Sequence, residues 1–366
     1  MSKESIKKEI DLELNKSTNK LSEKLKTYRI DISENIPPPE IAWEIRDDNS
    51  MEFNILGTLG NFSLVKGKAK SKKSFFINMA IAAAVGKGLL QNKLRSPLKE
   101  DFNQVLYFDT EQSKYHVQKA VKRICKQIAV SVPSNLNTYG LRKLSPSERL
   151  ELVEYAIENT PNLGFVVIDG IRDLITSIND EKESTYMASK LLKWTETYNI
   201  HIIVVLHENP GSDKARGHIG TELTNKAETV IALEVDKFND SASIVNAGFC
   251  RNKPFESFAF MITDDGLPQI IQDYVIQSKV IKKGFDVLAL AATDKFQILK
   301  EVFENGEGFQ HSELVTQIKI VLDKNYQGTK GKGISKIKEL ITASKNDGWL
   351  IQDGNRQPYL LGKLSV

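Results

Sequence analysis

The chain has 366 residues, 40% apolar and 27% charged, and a net charge of only +3. These values suit a globular protein of two or three domains and exclude a field of one sign over the whole molecule, so any nucleic-acid surface must be local. Two distant cysteines, no apolar run of membrane-span length and a charged N-terminus argue against a disulfide framework, a membrane span and a signal peptide, and a cytoplasmic protein is expected.

Residues 1–49 read as an N-terminal arm or linker. The first 36 are polar with loosely spaced isoleucines and leucines, and "IPPPE" at 36–40 excludes helix and favours extended backbone. From 50 to 278 short apolar runs alternate with helical stretches. "FSLV", "VLYF", "FVVI" and "HIIVVL" have the near-continuous apolar character of strands buried on both faces of a parallel sheet. Helices are expected over 74–85 and 115–128. A third starts at "SPSE", where Ser145 caps, Pro146 takes the first helical position and Glu148 completes a capping box. The expected fold class is α/β with a mostly parallel sheet, which "TVIALEV", "SASIVNAGFCRN" and "SFAFMIT" extend with antiparallel strands. In residues 279–366, three helices and a hairpin around Asp353-Gly354 describe a C-terminal winged-helix domain.

The stretch "VKGKAKSKKSFF" at 65–76 approaches the phosphate-loop pattern G-x-x-x-x-G-K-[ST], with Lys72 where the second glycine belongs. A lysine-rich surface turn would look similar, but this one lies between a strand and a helix, where backbone N–H groups and the helix dipole meet phosphates. The expected nucleotide-binding residues are Gly67, Lys68, Ala69, Lys70, Ser71, Lys72, Lys73, Ser74 and Phe75. Lys73 reaches the β/γ-phosphates, and the Ser74 hydroxyl ligates Mg²⁺. Lys72 requires either an ordinary φ or a modest strain cost, with its side chain free to point to solvent.

"VLYFDTEQS" ends in Asp109 and Glu111. Glu111 is the candidate base that deprotonates the attacking water and Asp109 the loop support, although acids capping the next helix fit the same string. "FVVID" has the Walker B form, with Asp169 as a metal partner, whereas Asp173 and Asp180 read as structural or solvated. His207, ending "HIIVVLH", is a candidate γ-phosphate sensor or else a surface histidine. The following loop, 210–223, carries Lys214, Arg216 and His218 and suits a nucleic-acid backbone, as it would an ordinary mobile loop. Arg251 in "GFCRNKPF" is either an arginine finger reaching a neighbouring subunit or a salt-bridge partner. Between 319 and 345, seven lysines face two acids, and Lys330, Lys332, Lys336 and Lys338 flank or lie on the helix 334–346 expected to contact duplex DNA. A protein-interaction wing is the competing reading.

These strings together resemble the RecA-like P-loop ATPases, most closely the RepA-type and DnaB-type ring helicases of superfamily 4 and the RepA-like ATPases of Bacteroidetes-type plasmids and mobilizable transposons. The resemblance covers roughly 50–275. It rests on "GTLGNFSLVKGKAKSKKS", "YFDTEQS", "LHENPGSDKARGHIGTEL" and "CRNKPFESFAF". It implies the Walker lysine at Lys73, Mg²⁺ ligands Ser74 and Asp169, catalytic Glu111, sensor His207 and finger Arg251. It further implies ATP and Mg²⁺ as cofactors, a ring such as a homohexamer, and single-stranded DNA as partner. The chain departs from the pattern at Lys72 and at Phe249-Cys250-Arg251, where the DnaB type has Lys-x-Arg. The implied function is an ATP-driven, helicase-like motor in plasmid or transposon replication or mobilization. Alternatives are a RecA-like ATPase switch that regulates recombination or transposition without unwinding, and a binding protein with degenerate nucleotide chemistry.

Overall fold

The computed structural model describes residues 20–48, 50–209, 215–276, 287–304, 306–325 and 333–363. Residues 20–39 are exposed throughout, but the expectation of an arm extending to 49 is corrected by β1 (Ile41–Arg46). β1 pairs antiparallel with β2 (Phe53–Thr58) and β4 (Leu94–Arg95) in a three-stranded sheet of order β2-β1-β4. Its anchor is Trp43, 1% exposed, whose ring lies 6.3 Å from Phe76 and 6.2 Å from Phe165 and whose Nε1 donates to His201 Nε2 at 3.2 Å. Burying so large an aromatic, with its N–H satisfied, fixes the strand.

The four apolar runs become β3 (Phe62–Gly67), β5 (Gln104–Asp109), β7 (Leu163–Asp169) and β8 (His201–His207). With β6 (Leu136–Gly140), β9 (Thr229–Val235), β10 (Ala242–Cys250), β11 (Phe258–Ile262) and β12 (Pro268–Ile271) they form a nine-stranded sheet of order β12-β11-β10-β9-β3-β8-β7-β5-β6. The six strands from β9 to β6 run parallel, and β10, β11 and β12 reverse in turn, the antiparallel extension expected. Phe165 and Val167 of β7 enter the core on the Trp43 side, while Val166 and Ile168 enter the core on the opposite face. Both faces are covered, which is why the strand lacks polar alternation.

α1 (Lys73–Gly86) and α2 (Lys114–Gln127) match their expected spans to within a residue. α3 (Pro146–Asn159) opens with the expected capping box: Ser145 Oγ accepts from Glu148 N, and Glu148 Oε2 accepts from Ser145 N at 2.8 Å. α4 (Glu181–Tyr198) is capped by Asp180, whose Oδ1 accepts from Glu183 N at 2.8 Å. The loop expected over 210–223 is shorter than that, because α5 (Gly217–Lys226) begins inside it. Gly220 makes this possible, since a Cβ there would stand 2.5 Å from the Ala215 carbonyl carbon.

The chain divides into two compact units, Met1–Ile276 and Gln277–Val366. The second contains α6 (Ala292–Phe303), α7 (His311–Asn325), α8 (Ile334–Asn346) and the antiparallel pair β13 (Leu350–Ile351) and β14 (Leu360–Leu361). Its core gathers Leu299, Leu314, Ile318, Leu322, Ile337 and Leu340. Among the described residues no helix is long and apolar enough to cross a membrane.

Candidate active site

β3 delivers the phosphate loop to the C-terminal edge of the parallel strands, and α1 leaves from it. Gly67 is required where it stands, since a Cβ would meet Leu233 O at 2.4 Å and Ser71 Oγ at 2.6 Å. Lys70 and Lys72 take left-handed backbone angles, φ 67° and 63°. The substituted position thus keeps the conformation a glycine adopts without penalty, at a cost of order 1 kcal/mol. Nor does the Lys72 side chain simply point to solvent: Nζ donates to Ser241 O at 2.7 Å and Asp240 O at 3.4 Å, clasping the β9–β10 turn. Ser71 Oγ is buried without a hydrogen-bond partner among the described residues, as suits a loop that receives a polar ligand.

Lys73 is 7% exposed, and burial draws its ammonium pKa down. Nζ donates to Gly67 O and Lys68 O, each at 2.9 Å, and lies 3.1 Å from His207 Nδ1. With Nδ1 accepting, the His207 proton sits on Nε2, which faces Glu111 Oε1 at 3.7 Å. His207 holds the Glu111 carboxyl below its ordinary range, so Glu111 is ionised at neutral pH. Ser74 Oγ donates to Asp169 Oδ2 at 2.8 Å. Burial pushes the Asp169 carboxyl up to about 7, and the neighbouring Asp109 adds to the rise.

Strand register brings these groups together. Gly67 is the partner of His207, and Asp109 the partner of Asp169. Asp109 supports the turn, as expected: Oδ1 accepts from Glu111 N at 3.0 Å and Gln112 N at 2.7 Å, and Oδ2 from Gln112 Nε2 at 2.8 Å. Glu111, with its carboxylate half exposed, is left facing the phosphate loop. Asp173 is structural, accepting from Thr110 Oγ1 at 2.8 Å.

The family model described as "AAA domain" matches residues 24–213, just over half of the chain. The chain belongs to the AAA domain family. No curated protein matches it. Among solved structures, a KaiC-like protein from the hyperthermophilic archaeon Pyrococcus horikoshii is 14% identical with a TM-score of 0.41, over 58% of this chain and 90% of that one. Family and topology together describe an AAA domain built on a mostly parallel sheet.

Its residues fit ATP and Mg²⁺. No group of three or more His, Cys, Asp or Glu side chains forms a metal cage among the described residues. Mg²⁺ needs none, since one carboxylate and a hydroxyl, completed by phosphate oxygens and water, suffice. Ser74 and Asp169 supply that pair, and a dication would relieve the cost of ionising a buried carboxylate.

Other expected site residues lie elsewhere. Arg251 follows β10 at the end where Cys250 pairs with Thr229, so it stands at the opposite end of β9 and β3 from the phosphate loop. It donates through Nη2 to Lys226 O at 3.1 Å and through Nη1 to Asn61 Oδ1 at 3.4 Å; among the described residues it forms no salt bridge, the alternative to a finger. Arg216 is close to the site by backbone, its N donating to His207 O at 3.0 Å, and His218 is exposed on α5. Lys336 and Lys338 lie on α8, Lys336 pairing with Glu339 at 3.0 Å. Lys214, Lys330 and Lys332 fall outside the described residues. Sequence reading missed the buried Lys66–Glu208 ion pair at 2.9 Å, which ties β3 to the residue after His207. Its signal was position alone, each residue adjoining an expected site residue.

Proposed function

We propose that this AAA domain hydrolyses ATP and that the hydrolysis drives a helicase-like motor on single-stranded DNA. The observation that carries the catalytic half is the convergence of Lys73, Ser74–Asp169 and Glu111–His207 at one edge of the sheet. In this reading Lys73 and the loop N–H groups hold the triphosphate, Ser74 and Asp169 the Mg²⁺, and Glu111 takes the proton of the attacking water. His207 contacts both Lys73 and Glu111, so a change at the γ-phosphate alters two of its partners.

The DNA half is supported by the backbone link from His207 O to Arg216 and by the bridge between Glu208 and Ala215, which join the end of β8 to the basic segment before α5. In the second unit, the three helices and antiparallel pair are read as a winged helix that presents Lys336 and Lys338 on α8 to duplex DNA. A ring of copies, such as a hexamer, and a role in replication or mobilization of a plasmid or transposon complete the proposal. The test is ATP turnover with and without single-stranded DNA, in the parent and in Glu111→Gln. DNA-stimulated turnover that Glu111→Gln sharply lowers is expected, and turnover unchanged by DNA would remove the motor. Displacement of an annealed strand separates a motor from a switch that regulates recombination without unwinding.

A further inference from the structure

α2 carries Lys114, Lys119, Lys122, Arg123 and Lys126 and no carboxylate. Val117, Ala120 and Ile124 face the core, and the helical repeat places Tyr115, Lys119, Lys122 and Lys126 in one outward stripe. Tyr115 is 68% exposed. Arg123 is committed to the Phe75 ring at 4.1 Å, but the four lysines form no ion pair among the described residues. Such a row of unopposed cations calls for a polyanion.

The stripe leads to an open cavity of about 710 Å³. Lys126 belongs to both, and Gln91, Asn92, Gln127, Asp265 and Gln269 line the cavity with amide and carboxylate groups. Gln91 fixes the wall, donating to Pro268 O at 2.8 Å and accepting from Ile270 N at 2.7 Å. Gln127 Oε1 is buried with no hydrogen-bond partner among the described residues. Side-chain amides offer the mixed donors and acceptors that read an unpaired base edge.

We propose that the α2 stripe and this cavity form a binding groove for single-stranded nucleic acid, with the backbone along Lys119, Lys122 and Lys126 and a base turned into the cavity. The cavity selects a single strand, because a duplex base presents no free Watson–Crick edge. A second copy is the less favoured occupant. Three of the four carboxylates of the acidic helix α3 are engaged within the chain, Glu148 with Ser145, Glu154 with Lys190 at 2.7 Å and Glu158 with Tyr198 at 3.1 Å, which leaves Glu151 alone to face a row of lysines. The inference rests on the DNA-dependent reading above and adds to it a surface separate from Arg216 and His218. Since α2 starts three residues after Glu111, nucleic acid on its first turn would lie beside the base of the ATPase site.

The test is fluorescence anisotropy of a short labelled oligothymidylate with the full chain, titrated across salt concentrations. Lys119→Ala/Lys122→Ala/Lys126→Ala should bind at least tenfold more weakly. Its slope of log affinity against log salt should fall by about 2, three lost contacts at roughly 0.7 each for a single strand. Its DNA-independent ATP turnover should match the parent, which shows that the variant is folded. Gln127→Ala should weaken binding of the oligothymidylate while leaving an abasic oligomer unaffected. Parent-like affinity and slope in the triple variant overturn the groove while leaving the DNA-dependent reading intact. If the parent binds no oligonucleotide, both fail. A triple variant that sediments as a smaller species with unchanged DNA affinity assigns the stripe to copy–copy contact and overturns the proposal.

Discussion

Nζ of Lys73 lies 3.1 Å from Nδ1 of His207, so the lysine of the phosphate loop and the residue ending β8 are in direct contact. Lys73→Ala removes the ammonium that would meet the phosphates. The expected loss of ATP affinity is tenfold to a hundredfold, on roughly 1.5–3 kcal/mol for a hydrogen bond to a charged group. Lys72→Gly, in contrast, relieves a left-handed lysine and gives up only exposed contacts to Asp240 and Ser241. Isothermal titration should find its affinity within a few-fold of the parent. Loss of binding in Lys72→Gly alone would show that the clasp on the β9–β10 turn, not Lys73, holds the loop.

Glu111→Gln should bind ATP normally and hydrolyse it about 10²-fold more slowly or worse, the scale of lost general-base help. Asp109→Asn should also slow turnover, since Oδ1 fixes the backbone of Glu111 and Gln112. Single-turnover kinetics separate the two. Partial retention in Asp109→Asn marks a positioning residue, and parent-like chemistry in Glu111→Gln would move the base elsewhere.

Stability should depend on pH through two buried groups of opposite sign. Burial raises Asp169 from 3.8 to about 7, so the folded chain binds more protons than the unfolded one between those values. That contribution to stability is lost as pH rises through the window. Asp169→Asn should therefore raise the melting temperature near pH 8, through a gain in stability on the order of a few kcal/mol or less. His201 is held neutral, its pKa drawn by burial from 6.5 to about 4, so its contribution is lost as pH falls through that range. Melting curves of Asp169→Asn between about pH 4 and 8 should show the His201 loss uncovered, and a flat profile would contradict it.

Arg251 lies too far along β10 to act on its own phosphate loop. In the ring reading, Arg251→Ala binds ATP yet turns over poorly because the missing guanidinium serves a neighbouring copy. Mixing it with Lys73→Ala should then restore activity, because one interface combines an intact lysine with an intact arginine. A finger contributes about 10³–10⁵-fold in nucleotide hydrolases, so recovery would be readily measured. A mixture no faster than its parts would leave Arg251 a structural cap on Lys226 O.

The strands that carry the site were legible because their apolar runs follow directly from burial on both faces. Ser145, Pro146 and Glu148 announced α3 because a capping box is local chemistry. β1 was missed for a non-local reason. In "IAWEIR" Glu44 is buried beside Ile45, and only its pairing with Arg95 of β4 makes that tolerable. α5 was hidden by Gly217 and Gly220, poor helix formers that are there for close approach to Ile178 and Ala215. Among site residues, the positions of Asp109 and Asp169 could be read from strand ends, and those of Lys73 and Ser74 from the loop that joins a strand to a helix. That Lys73 and His207 touch required the register of β3 with β8.

The hydrogen bonds of the phosphate loop also bear on rates. Because Lys73 already serves Gly67 O, Lys68 O and His207, and Ser74 already serves Asp169, a nucleotide enters by substitution rather than simple addition. Bonds from Lys73 and Ser74 to phosphate would displace bonds within the chain, whereas Ser71 Oγ has none to give up. The same acceptors take the ammonium and hydroxyl back as the product departs. Departure of a spent nucleotide would leave neither side chain without a partner, which in this reading weighs against tight product retention.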